Sequence, residues 1–340
     1  MQLFSNDTRV PLSVAVFLAT DHYDYVPGVV SATALMKPLR QQVLPARIPA
    51  DSPERIIEVL NVTKSRIGTA IHDSIEKSWV LGHYRKAMLG LGHPQHVIDR
   101  IVVNPGYKRD DTGNWIKDPD AEPMADDAIP VYMEIRSFKE IEGKQISGKF
   151  DFVAEGQLED FKSTSTYTWV NDTKSGDYQL QGSIYRWLNP DIVTSDHMTI
   201  QFLFTNWEAW KTSDPKYPQH PVMSKKIPLL SLEDTEAYVR SQLMTFEQHK
   251  NTPEAALPRC TDKDLWRKDS KFKYYKNPAK TARSTANFDS ALEANQRLVQ
   301  DGGVGIVKEV KGAVVACRFC SAASVCTQKD EYIASGNLQL

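Results

Sequence analysis

Asp160-Phe161-Lys162 is the triplet whose residue types could do chemistry. Residues two apart on a strand share a face, so one carboxylate and one ammonium would point into the same space. Asp151, on the strand before, could face them across the sheet. Clustered carboxylates suit a hard divalent cation such as Mg2+, which takes oxygen ligands and keeps waters for a phosphate substrate. An ammonium beside that cation would orient and activate a water, or neutralise charge developing on phosphate. Alone, D-x-K is a common strand face, so the weight falls on its company. Gly68, His72 and Glu76 recur every four residues and would share one helical face. Gln181 and Tyr185 are also four apart, placing an amide and a phenol side by side on a later helix.

The cysteines form a second constellation. Cys317, Cys320 and Cys326 give C-x2-C-x5-C, and Cys260 lies 57 positions before Cys317. Three of four cysteines within ten residues reads as a metal site rather than scattered buried thiols. Four thiolates can hold tetrahedral Zn2+ or an iron–sulfur cluster. Such a site would offset the loop-closure entropy of joining Cys260 to Cys317, a contribution on the order of a few kcal/mol.

In chain order the motifs run Gly68-x-x-x-His72, Glu134, Gly148-Lys149-Phe150-Asp151, Asp160-x-Lys162 and Gln181-x-x-x-Tyr185. This order resembles the RecB-type branch of the PD-(D/E)XK nucleases over residues from about 65 to 190. The resemblance implies a restriction-endonuclease-like α/β core and metal-dependent cleavage of phosphodiesters with Mg2+ or Mn2+. It would make His72, Glu134, Asp151 and Asp160 metal ligands, with the Phe161 carbonyl as a further one. Lys162 would be the catalytic lysine, and Gln181 and Tyr185 would order the site and the DNA strand. The cysteine spacing is similar to the C-terminal triad of iron–sulfur nucleases of that branch, such as AddB and the CRISPR adaptation nucleases. That similarity favours a 4Fe-4S cluster over Zn2+. In those relatives the lone first cysteine precedes the nuclease motifs, whereas Cys260 follows all of them. The site here would therefore staple the C-terminal segment onto itself.

Between Lys263 and Arg283 there are eight Lys/Arg and two acids, with Trp266, Phe272, Tyr274 and Tyr275 interleaved. Cations for phosphates and flat rings for unstacked bases would suit single-stranded nucleic acid. Lys263, Trp266, Arg267, Lys268, Lys271, Lys273, Tyr274, Tyr275 and Lys276 are the candidate contacts. The alternative is a solvated loop whose rings pack on the core.

The elements that must position these groups are legible in outline. Asp51-Ser52-Pro53 predicts a helix start, with helix continuing to about Leu91. Residues 104–130 hold four Pro, two Gly and seven Asp/Glu and read as an insertion or loop. Period-two alternation then predicts strands around 131–135, 149–153 and 158–163, joined by turns at Gly143 and Gly156. A helix over 177–188 ends before Pro190, and a strand covers about 199–207. Ser231-Leu232-Glu233-Asp234 resembles a capping box opening a helix to about Lys250, and a last helix is expected over 284–300. The domain reading is an N-terminal helical segment 1–50, a nuclease core 51–255, and a C-terminal cysteine module 256–340.

The 340 residues carry 41 Lys+Arg and 43 Asp+Glu, a net charge of −2, and 41% are hydrophobic. That is an ordinary globular composition, and any nucleic-acid surface must be local. Four cysteines are too few for a disulfide scaffold. No apolar run approaches the roughly 20 residues of a membrane helix, and Leu12–Ala19 makes a poor signal peptide. A cytoplasmic protein of a bacterium or infected host cell is expected, phage-encoded in the manner of several stand-alone relatives. The expected activity is a DNA exonuclease acting on single-stranded or free ends in recombination or replication, alongside proteins of those processes. No Walker-type motor motif is present. The rivals are a non-catalytic nucleic-acid binder on a decayed nuclease fold, and a zinc-stabilised adaptor subunit.

Overall fold

The computed structural model describes residues 3–20 and 26–339. The chain is mixed α/β and forms two compact units: Met1–Met36 with Arg55–Met244, and Lys37–Glu54 with Thr245–Leu340. The boundary expected near residue 50 therefore falls inside the second unit. Among the described residues, no helix is long and apolar enough to cross a membrane.

The strands of the first unit's two larger sheets are β1 (Val29–Ser31), β2 (Ile101–Val103), β3 (Ile129–Met133), β4 (Arg136–Ile141), β5 (Lys144–Lys149), β6 (Phe152–Ala154), β7 (Gln157–Thr164), β8 (His197–Phe204) and β9 (Val222–Pro228). Six of them form a mixed sheet in the order β9-β8-β7-β6-β3-β2, and β1-β5-β4 form a second sheet. β7 and β8 run parallel, as do β2 and β3, while β6 is antiparallel to both its neighbours. The two sheets share one long hairpin. β3 leads into β4 and β5 into β6, and pairing lapses only between Arg136↔Lys149 and Phe152↔Met133. The hairpin tip is Glu142-Gly143, and the next turn is Glu155-Gly156, all four with φ near +50 to +80°. Consecutive positive φ values are what the two-residue primed hairpin turn requires.

Two helices flank the mixed sheet: α1 (Thr63–Val80) and α2 (Ser175–Leu188). Leu158, Met198, Ile200 and Phe202 pack with Ile184, Tyr185 and Trp187 of α2 on one face. Val131, Met133 and Phe152 pack with Trp79, Tyr84 and Phe161 on the other. β8 shows the cause, since its buried residues alternate strictly with half-exposed ones.

Two expectations for this unit change. The helix expected from Asp51 begins at Thr63, because the β-branched Ile57 pairs as a short parallel strand with Phe4 and a 3-10 turn follows. It also breaks at Gly82, whose φ is +76°. Residues 104–130 are not all loop: Tyr107–Arg109 pairs with Trp115–Lys117. Elsewhere the Ser231 hydroxyl accepts from the Asp234 N–H at 2.9 Å, as a capping box should.

The second unit contains β10 (Lys271–Tyr275), β11 (Ala286–Phe288), β12 (Ile306–Val310), α3 (Ala291–Gln300) and α4 (Thr327–Ala334). β10 is central in an antiparallel sheet between β11 and β12. The helix expected over 284–300 starts only at Ala291, capped by Ser290, because residues 286–288 are taken up by the sheet.

Candidate active site and cysteine cavity

The break in the long hairpin positions the carboxylates. Glu134 sits in it with φ +53°, a left-handed conformation uncommon for a residue with a side chain. Its N–H donates to the Asp151 carbonyl at 3.1 Å, so the two acids are locked opposite each other where the ladder lapses. The Asp151 carboxylate accepts from the Phe161 N–H at 2.8 Å, tying the break to β7. On β7, Asp160 and Lys162 share the α2 face as their spacing requires. The Lys162 ammonium lies 2.5 Å from Asp160 Oδ2. It also donates to Gln181 Oε1 at 3.3 Å, and the Gln181 amide donates to the Tyr185 hydroxyl at 2.8 Å. Lys162, Gln181 and Tyr185 thus form one chain of contacts from β7 to α2. Tyr185 is buried and acts within the protein.

His72 comes from α1. Its Nε2 is 2.9 Å from the Phe161 carbonyl, which turns Nδ1 toward Asp151 at 3.5 Å and Glu134 at 3.7 Å. If Nε2 carries the proton donated to that carbonyl, Nδ1 is the free lone pair. Glu76, one turn on, is occupied otherwise: it accepts from Arg109 at 2.7 Å and the Trp115 indole at 3.0 Å. It therefore anchors the 107–117 hairpin.

Burial and charge set the electrostatics. Burial, then the Asp160 charge, pushes the Asp151 carboxyl up to about 7. Burial alone would lower His72, but the neighbouring Glu134 carboxylate and the Asp151 and Asp160 charges outweigh it and raise it to about 9. Burial would raise Glu134, and His72 and Lys149 bring it below the usual range. Lys162 is likewise held above its ordinary value, because the Asp160 and Asp151 charges overcome its burial. Asp160 is 1% exposed, and its Oδ1 has no hydrogen-bond partner. Its Oδ2 meets Lys162 as an ion pair without the alignment of a hydrogen bond. A buried carboxylate left so under-satisfied is costly unless a cation completes it.

Among the described residues, His72, Glu134 and Asp151 are the group whose donor atoms all lie within 4.8 Å of one another as a metal site needs. One imidazole and two carboxylates are a donor set compatible with a divalent cation. The cluster opens on a groove of about 750 Å3 that Lys64, Arg66, Lys149 and Lys162 also line. Lys149 was not singled out in the sequence, although it lies inside Gly148-Lys149-Phe150-Asp151. Its ammonium is 2.7 Å from Glu134 Oε2. A Cβ on Gly148 would come within 2.7 Å of Leu188 and 2.9 Å of Tyr185, so glycine lets α2 approach this strand.

In the second unit all four cysteines are free thiols lining one small cavity of about 20 Å3, with Arg40 and Gln328. No three of them form a group as tight as the acid cluster. Burial pushes the Cys260 thiol up to about 12 and Cys317 up to about 11, and raises Cys320. Arg40 carried no sequence signal, yet it is almost fully buried. It donates to the carbonyls of Glu254, Leu257 and Pro258, to the Glu254 carboxylate, and to Cys326 Sγ at 3.4 Å. It thereby holds the segment entering Cys260 against the last cysteine.

The basic stretch is reassigned in part. Tyr274 and Tyr275 are buried on β10, and the Tyr274 hydroxyl donates to Asp301 at 3.0 Å. Neither can stack on a base, because both rings are buried although they point to opposite faces of the strand. Arg267 is also structural, bonded to Asp262 at 2.6 Å and the Gly312 carbonyl at 2.9 Å. Lys271 pairs with Asp289, and Lys273 is half-buried. Lys263, Trp266, Lys268 and Lys276 remain exposed.

No family model and no curated protein matches this chain. Solved structures that it resembles include the following two. SSO0001 is 12% identical with a TM-score of 0.38, over 74% of this chain and 97% of that one. A phage related exonuclease from Haemophilus somnus 129PT is 16% identical with a TM-score of 0.23, over 33% of this chain and 57% of that one. Neither superposition is close enough to transfer a residue role.

Proposed function

We propose that this protein is a Mg2+- or Mn2+-dependent deoxyribonuclease, acting as an exonuclease on DNA with free or single-stranded ends. The observation that carries the reading is Asp160: a buried carboxylate with an unpartnered oxygen, flanked by Lys162 and by the His72, Glu134 and Asp151 group. His72, Glu134, Asp151 and Asp160 would hold the cation. A bound Mg2+ or Mn2+ would supply Lewis-acid polarisation of a phosphodiester oxygen and lower the pKa of a water. Lys162, kept protonated by Asp160 and Asp151, would orient the attacking water and offset charge on the phosphate. Gln181 and Tyr185 would hold Lys162 in place, and Lys64, Arg66 and Lys149 would meet the DNA backbone along the groove. The second unit would carry a structural 4Fe-4S cluster on Cys260, Cys317, Cys320 and Cys326. The C-x2-C-x5-C spacing is what supports the cluster over Zn2+.

The test is cleavage of end-labelled single- and double-stranded DNA by anaerobic and aerobic preparations, with and without Mg2+ or Mn2+. Shortening of labelled strands that requires metal and is absent in Asp160→Asn is expected, with Mn2+ effective at lower concentration than Mg2+. No cleavage under any condition would overturn the reading. A brown preparation absorbing near 400 nm is expected; a colourless one containing zinc would remove the iron–sulfur assignment alone.

A further inference from the structure

Trp266 and Phe319 lie on different loops of the second unit, 53 positions apart in sequence, yet their rings meet at 6.2 Å between centroids with planes 35° apart. Trp266 is 50% exposed and Phe319 74% exposed. Two large rings held side by side in water are an unusual use of apolar surface in a small unit. The backbone is bent to achieve it. Trp266 has φ +47°, a left-handed conformation that is an outlier for a bulky side chain. Its neighbours are fixed: Leu265 is buried against Val314 and Leu338, and Arg267 is clamped by Asp262, Gly312 and the Tyr332 ring. Leu265 thus points in and Trp266 is turned out. Phe319 sits between Cys317 and Cys320, at the end of a 3-10 turn, so whatever those cysteines bind also fixes the ring. Exposed cations flank both loops: Lys263 and Lys268 beside Trp266, and Arg318 beside Phe319.

We propose that the Trp266–Phe319 pair is a stacking platform for an unpaired base of single-stranded DNA, with Lys263, Lys268 and Arg318 on the adjoining phosphates. This rests on the nuclease reading for the class of partner and narrows where that partner is gripped. Rings stack on any base, and cations track the backbone, so the platform binds single strands without reading sequence. Strain at Trp266 is the cost of presenting the ring ahead of the ligand, which lowers the ordering penalty on binding.

The test is binding of a fluorescein-labelled oligothymidylate, measured by anisotropy with Ca2+ replacing Mg2+. Trp266→Leu and Phe319→Leu keep apolar cover and remove the flat ring, and Trp266→Phe keeps a ring. The Leu variants are expected to bind about tenfold or more weakly, with an unchanged slope of affinity against salt, because no phosphate contact is lost. Trp266→Phe should recover most of the affinity, and a strand of abasic sites should bind parent and Leu variants alike. Unchanged binding by both Leu variants would overturn the platform, as would an equal loss on the abasic strand. Failure of the unaltered protein to bind the oligothymidylate would overturn it too. The nuclease reading is judged separately, by cleavage in Mg2+ or Mn2+. Unchanged melting of the variants confirms that binding, not folding, is read.

Discussion

The acid cluster and the cysteine cavity are both candidate metal sites, and they are built in opposite ways. The first is preformed by long-range pairing. Its side chains come from α1, the hairpin break and β7, and each has a protein partner nearby: His72 faces the Phe161 carbonyl, Asp151 accepts from the Phe161 N–H, Glu134 meets Lys149, and Asp160 meets Lys162. The second hangs on short 3-10 turns and loops, and burial pushes the Cys260, Cys317 and Cys320 thiols up, so these are kept neutral rather than pre-charged. Hard donors in a charge-balanced sheet can release and rebind an ion without refolding. Soft donors on loops depend on the metal to close the structure.

The largest way to break this contrast is within the acid cluster. Asp160→Asn or Asp151→Ala should lower cleavage more than about a thousandfold, an expectation for residues acting as a unit, while the protein stays folded by circular dichroism. A comparable loss of helix signal would contradict a preformed site. Cys317→Ser should do the reverse: lose the 400 nm absorbance and about a few kcal/mol of stability in the second unit, seen as a lowered calorimetric transition, with Mn2+ binding at the acid cluster retained.

Of the two sites, the acid cluster was the more legible in the sequence. Period-two alternation located β7, whereas the strand expected over 149–153 straddles the lapse between β5 and β6 in which Asp151 sits; four-residue spacing put Gln181 and Tyr185 on one face, where α2 carries them beside Lys162. The left-handed break at Glu134 was not legible, because glutamate carries no signature for positive φ. Lys149 was missed because a lysine on a strand reads as solvated until its partner is known. Arg40 is harder still: its partners are mostly carbonyls more than 200 positions away. Tyr274 and Tyr275 misled because an aromatic-basic run looks alike whether its rings face solvent or a sheet's packed side.

pH provides a sharper probe. Without metal, His72 holds a proton up to about 9 that the unfolded chain releases near 6.5. That contribution is fully present below 6.5 and is lost as pH rises through about 9. Asp151, raised from 3.8 to about 7, adds the same sign at lower pH. The melting temperature of the metal-free protein should therefore fall on raising pH from 6.5 to 9, and the fall should shrink in His72→Gln. Lys149→Ala should lower the Mn2+ concentration at half-saturation by calorimetry, since Glu134 loses a competing cation, while slowing cleavage through the lost phosphate contact. The smallest effect is expected from Gly148→Ala. Overpacking against Leu188 and Tyr185 should cost about 1–3 kcal/mol, read by urea melts, with a modest fall in cleavage as α2 is pushed off the strand.

Arg40 also sets a timetable. It precedes Cys326 by 286 positions, and the whole of Arg55–Met244 is made between them. At roughly 5–20 residues per second, the first unit can fold on the ribosome while the 37–54 strap waits tens of seconds for its partners. Until then its guanidinium and the apolar Val43 and Leu44 wait for Leu257, Ala322 and Cys326 to cover them.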